Sequence, residues 1–170
     1  MIQDKRQIHI KASPENIYDF IETTPNKFPI YKILEIKLFL FLRILFVDGL
    51  RSAIEEIGAD KPEDVLILNV GDSMGPFTLT EAEKPLKYWF TIRSFFINCK
   101  TGYSIYTNCS TTTLHFDTII EKPRFKEKVW WFLIKPIHGI FANKVLRIIR
   151  EKVENRGAMH PRINHGKDHY

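Results

Sequence analysis

A chain of 170 residues, 44% hydrophobic and 26% charged, has the size and balance of one soluble globular domain, which excludes a low-complexity or disordered polymer. Its formal charge of +5 is unevenly placed: Glu55 to Lys87 holds eight acids against three bases, and Arg124 to Lys152 holds eight bases against two acids. A basic segment can face nucleic acid or anionic lipid, but no nucleic-acid-binding module accompanies this one, so nucleic acid is not an expected partner.

The opening MIQDKRQIHIKAS lacks the apolar core of a signal peptide. Cys99 and Cys109 are expected at opposite ends of a hairpin, too far apart to bridge. Two unpaired thiols without an export signal point to a reducing cytoplasm. Lys5 to Lys11 alternates, with Ile8 and Ile10 on one side, and reads as a strand. Ser13-Pro14 then starts a helix, serine as N-cap and proline at its first position, with Ile17, Phe20 and Ile21 as its apolar face.

Ile33 to Val47, ILEIKLFLFLRILFV, passes without a turn former and favours a helix. It is too short and too charged to span a bilayer. Two readings stand: a core helix covering the end of a sheet, or a segment whose Phe39, Phe41 and Phe46 touch a membrane while Lys32, Lys37 and Arg43 meet headgroups. Leu50 to Ile57 continues as helix, capped by Gly58.

From Val65 the pattern changes to short alternating runs. Strands are expected over Val65 to Val70, Phe77 to Glu83, Leu86 to Phe95, Tyr103 to Thr107 and Thr112 to Ile120. Turns fall at Gly71-Asp72-Ser73, Lys84-Pro85, Lys100-Thr101-Gly102 and Asn108-Cys109-Ser110. Successive strands with tight turns make an antiparallel meander with one apolar face to cover. The cover is Arg124 to Lys152, where Trp130, Ile134, Ile137, Phe141, Val145 and Ile148 mark one face of a helix. Pro136 and Gly139 predict a kink or short break in it. Asn155 to Tyr170 is polar and aperiodic and reads as a mobile tail behind a single domain, 1–154.

Strand, helical insert, antiparallel meander and long terminal helix form an order that resembles the α+β helix-grip fold of the START and polyketide-cyclase-like (SRPBCC) superfamily. Residues 8–21, IHIKASPENIYDFI, are similar to its opening. Gly71-Asp72-Ser73-Met74-Gly75-Pro76-Phe77 and Lys135-Pro136-Ile137-His138-Gly139-Ile140-Phe141 resemble a bacterial branch sometimes fused behind short-chain NAD(P)-binding domains. The resemblance spans about residues 5 to 153, the insert 33–47 departs from it, and the branch brings no settled activity.

The helix-grip resemblance implies a pocket between sheet and helix. Tyr88, Phe90, Ile92, Tyr103, Ile105, Leu114 and Phe116 would then face Trp130, Ile134, Ile137, His138 and Phe141 and line a site for a hydrophobic small molecule. The plainer alternative is a closed core. His138 is set in an apolar turn where it could orient a ligand or move a proton. Holding the kink by donating to a freed carbonyl is the simpler role. His115 and Asp117 share one face of a strand, expected to meet solvent. Asp72 is expected to cap its turn.

No catalytic residue, metal ligand or cofactor is assigned. His160, His165 and His169 lack fixed geometry, and neither a phosphate loop nor a GxSxG turn is present. Three functions remain: a carrier of a lipid, isoprenoid or polyketide-like compound; a cyclase, dehydratase or isomerase in which His138 or Tyr103 moves a proton; or an interaction module. The lack of a recognisable acid/base pair favours the carrier. Peripheral contact with an anionic membrane, through Ile33 to Val47 and the basic helix, would complement it.

Overall fold

The computed structural model describes residues 1–23, 67–74, 77–93, 97–108 and 111–159. The expected helices over Ile33 to Val47 and Leu50 to Ile57, with Phe39, Phe41 and Phe46, lie outside the described residues, as do His160, His165 and His169. In chain order the elements are β1 (Ile2–Ile10), α1 (Pro14–Thr23), β2 (Ser73–Met74), β3 (Phe77–Glu83), β4 (Lys87–Arg93), β5 (Asn98–Asn108), β6 (Thr111–Ile120) and α2 (Phe125–Met159). Six strands form one curved antiparallel sheet in the order β1-β6-β5-β4-β3-β2, with the long terminal helix against it. This is the expected α+β helix-grip architecture.

Local chemistry explains the boundaries. Ser13 caps α1 as read, its hydroxyl accepting from the Asn16 N–H at 3.3 Å and its carbonyl from Ile17 at 3.2 Å. No strand runs over Ile67 to Val70. The Asp72 carboxylate takes the Asn69 N–H at 2.8 Å, and the Asp72 N–H donates to the Asn69 carbonyl at 3.0 Å, so a turn claims those backbone groups. Gly71 permits it with φ +102. Leu86 falls in the turn before β4, partly exposed, rather than on the strand's buried row.

The turn expected at Lys100-Thr101-Gly102 is also absent: all three residues lie inside β5. Gly102 is there for proximity, since a Cβ on it would meet the Trp89 Cα and the Tyr88 carbonyl oxygen at 2.6 Å and the Trp89 ring at 2.7 Å. Cys99 is therefore buried near the start of β5, and Cys109 lies outside the described residues just past that strand's end.

The sheet's inner face carries Leu79, Tyr88, Phe90, Tyr103, Ile105, Leu114 and Phe116, all buried. Full burial of an aliphatic or aromatic side chain stabilises by about 2 kcal/mol, so this face dominates the fold's energetics. α1 adds Ile17, Tyr18, Phe20 and Ile21, and α2 packs chiefly along β1.

The helix runs unbroken through Pro136 and Gly139, so the short break, one of the two outcomes expected there, is absent. Pro136 sits on the exposed side, where the carbonyl that loses its N–H partner can reach water. α2 also extends to Met159, beyond the expected end. Glu154 accepts from the Lys11 N–H at 2.9 Å and Arg156 lies 5.0 Å from the Phe20 ring centre, so the last turns are tied to the sheet and α1.

Gly102→Ala tests the close strand approach. It is expected to cost about 1–3 kcal/mol in denaturant unfolding, because backbone rather than a flexible side chain must yield.

Candidate functional site

Strand register builds the site. Asp4 pairs with Thr118 and Thr118 with Thr101, so the inner face carries a polar row across β1, β6 and β5. The adjoining row is Arg6, Phe116, Tyr103 and Tyr88. α2 lowers His138 between the two rows. Its Nδ1 lies 3.2 Å from Asp4 Oδ2 and its Nε2 3.2 Å from Thr118 Oγ1. The ring stacks on Phe116 at 6.1 Å and 19°, with Trp131 at 5.2 Å on another side.

Arg6 holds the far side of the carboxylate, donating from Nε at 3.2 Å to both oxygens and from Nη2 to Oδ1 at 3.0 Å. Gly139 makes the space, since a Cβ there would stand 2.8 Å from Arg6 Nη2. The His138 hydrogen bond, with Arg6 behind it, holds the Asp4 carboxyl down at about 2 against the opposing effect of burial.

The ionised carboxylate only accepts, so His138 Nδ1 carries a proton. On the other side Thr118 Oγ1 lies 3.0 Å from Thr101 Oγ1, which donates to the Asp117 carbonyl at 3.1 Å. A ring protonated on both nitrogens satisfies this chain in one direction. A neutral ring takes the Thr118 proton for Nε2 and leaves the Thr101 contact without one. The arrangement can orient a polar ligand group or hold and hand over a proton at Nε2.

The sequence-derived lining residues fall in two groups. Tyr88, Phe90, Ile92, Tyr103, Ile105, Leu114 and Phe116 are all buried on the inner face. Phe141 is buried on α2, and Trp130, Ile134, Ile137 and His138 are half-buried. The buried face keeps Phe141 and Val145 of the expected one and is shifted to one side of it: Trp131, Ala142, Leu146 and Ile149 also face the core, and Trp130 stands at its flank. The structure brings His138, Phe116 and Tyr103 together, with Tyr103 5.1 Å from Phe116. Tyr88 instead meets α1, 5.9 Å from the Tyr18 ring and 5.2 Å from Phe90. Its hydroxyl is buried without a hydrogen-bond partner among the described residues, and burial pushes it up to about 12.

Asp4, Arg6, Thr101, Thr118 and Trp131 were not anticipated. The signal for the first two was an inward row of alternate residues, Ile2, Asp4, Arg6, Ile8 and Ile10, with two charges in apolar company. Asp117 is a further correction. It is buried on the outer face rather than solvated, its Oδ1 has no partner among the described residues, and burial raises its carboxyl. It stands opposite Gly102, over which the Trp89 ring lies, so the outer face is locally roofed.

No family model matches the chain, and no curated protein matches it in sequence. In three dimensions it matches the Aha1 dimer of Colwellia psychrerythraea with TM-score 0.50 and 14% identity, over 91% of this chain and 97% of that one. Protein Ms6760 of Mycobacterium smegmatis matches with TM-score 0.52 and 11% identity, over 91% of this chain and 92% of that one. At such identities the likeness is one of fold alone, the α+β helix grip.

The depressed Asp4 carboxyl makes a signed prediction. Its folded value, about 2, lies below the ordinary 3.8, so its stabilisation is present above about pH 4 and is lost as pH falls through 2. The amount is about 2 kcal/mol. Asp4→Asn should be less stable than the wild type at pH 7, and chemical denaturation across a pH series should show that deficit shrinking toward pH 2.

Proposed function

We propose that the protein binds a hydrophobic small molecule of lipid, isoprenoid or polyketide-like character on the inner face, among the sheet, α1 and α2. The observation that carries this reading is the Tyr88 hydroxyl, set among aromatic rings in a residue 1% exposed and without a hydrogen-bond partner among the described residues. A buried, unpaired hydroxyl costs about 1–3 kcal/mol, which an accepting group on an apolar ligand would recover. The inner face supplies apolar area, and Tyr88 at one end and the Asp4–His138 pair at the other supply polar points that fix orientation. The narrower likeness to the bacterial branch supports use of the Pro136 to Phe141 turn, because that turn carries His138.

A second reading is favoured by one observation, the Asp4–His138 pair. A carboxylate-oriented imidazole beside a hydroxyl is the equipment of proton transfer, and a cyclase, dehydratase or isomerase could use it.

Native mass spectrometry of the purified protein is expected to show a co-purifying apolar compound. With that compound, Tyr88→Phe should weaken binding roughly tenfold while leaving thermal stability unchanged or higher, since the orphan hydroxyl is gone. Repeated recovery of ligand-free protein, or unaltered affinity in Tyr88→Phe, would count against the reading.

A further inference from the structure

The first half of α2 has two apolar faces, and the described elements pack against only one of them. Phe125, Val129, Phe132, Leu133 and Ile140 are exposed, Phe125 to 83% and Phe132 to 80%. At about 3.6 residues per turn they form one stripe, opposite the row of Trp131, Ile134, His138 and Phe141 that meets the sheet. Lys126 and Lys144 border the stripe on one side, and Lys128 and Lys135 on the other. Between Lys122 and Arg150 the sole acid is Glu127, which is 3% exposed.

A groove of about 480 Å³ opens where the stripe begins, lined among others by Arg93, Lys122 and Arg124. Its acids are engaged: Glu121 pairs with Lys100 at 3.0 Å. Glu127 accepts from the Asn98 side chain at 3.3 Å and from the Arg124 N–H at 2.8 Å. The groove is therefore net positive at the end of an apolar stripe.

We propose that this face of α2 is a docking surface for an anionic membrane. The helix lies in the interface plane with the phenylalanines among acyl chains and the bordering lysines at headgroup level, and the groove receives a headgroup phosphate or carboxylate. It does not span the bilayer, because its other side is buried against the sheet. A second copy of the chain fits this face poorly. A two-fold dimer sets the same patch against itself, and lysines would meet lysines, since the acid within the stripe, Glu127, is buried and Glu121 is paired with Lys100. The inference is independent of the ligand reading and uses none of the residues that carry it.

Flotation of the full chain with phosphatidylcholine vesicles, with and without phosphatidylserine, tests it. Binding is expected only to the anionic vesicles and is lost at high salt. Phe125→Ser with Phe132→Ser should weaken it roughly tenfold, as should Lys126→Glu with Lys128→Glu and Lys135→Glu. These positions are exposed, so unchanged thermal melting by circular dichroism is expected alongside. Three results would overturn the proposal: protein left unbound with every vesicle, equal flotation on neutral lipid, or a dimer that Phe132→Ser dissociates in a protein that never floats.

Discussion

The pairing of β1 with β6 is the constraint on which the rest depends. It runs without a bulge from Ile2 opposite Ile120 to Ile10 opposite Thr112. That ladder puts the chain's first strand at the sheet edge beneath its last helix, and it decides which residues meet. Because side chains alternate, a slip of one residue would turn Asp4 and Arg6 outward and present Lys5 to His138 instead. The polar cluster is a product of register, and register is secured by the apolar inner positions Ile8 and Ile10 together with the Thr112 hydroxyl, which donates to the Ala12 carbonyl at 2.8 Å.

Much of the architecture was legible in the sequence. The N-cap at Ser13, the alternation from Leu114 to Ile120 and the long terminal helix each rest on local patterns that tertiary context did not override. What was misread had competing local signals. Gly102 looked like a turn because glycine usually is one, yet its reason lies on the neighbouring strand, in the space taken by Trp89. The helix face was right at Phe141 and Val145 and wrong at its start, because α2 is apolar on both sides there and periodicity alone left the phase undecided between Trp130 and Trp131.

The site was less legible than the fold. His138 stood out as a polar residue in an apolar turn, but its carboxylate partner is 134 residues away, and no local rule reaches that far. The anticipated use of the histidine, bonding to a carbonyl freed by Pro136, gave way to two side-chain partners from the sheet. Asp117 was placed in solvent because strand alternation put it opposite the core. Alternation describes faces and says nothing of what a neighbouring tryptophan covers.

The same edge strand has a consequence for the nascent chain. β1 leaves the ribosome before its partner strand, and Thr113, whose hydroxyl meets the His9 ring, is made 104 residues later. At ordinary rates of synthesis β1 waits roughly 5 to 20 seconds for its neighbour. During that wait it is an unpaired strand with open hydrogen-bonding groups, the kind that recruits other chains. Asp4 and Arg6 stand on the side that later turns inward, and two charges there make sheet-to-sheet stacking of waiting strands unfavourable. Only when α2 arrives with His138 and the opening at Gly139 does that side gain a matching surface. The charges that shape the folded interior thus also guard the unfinished protein.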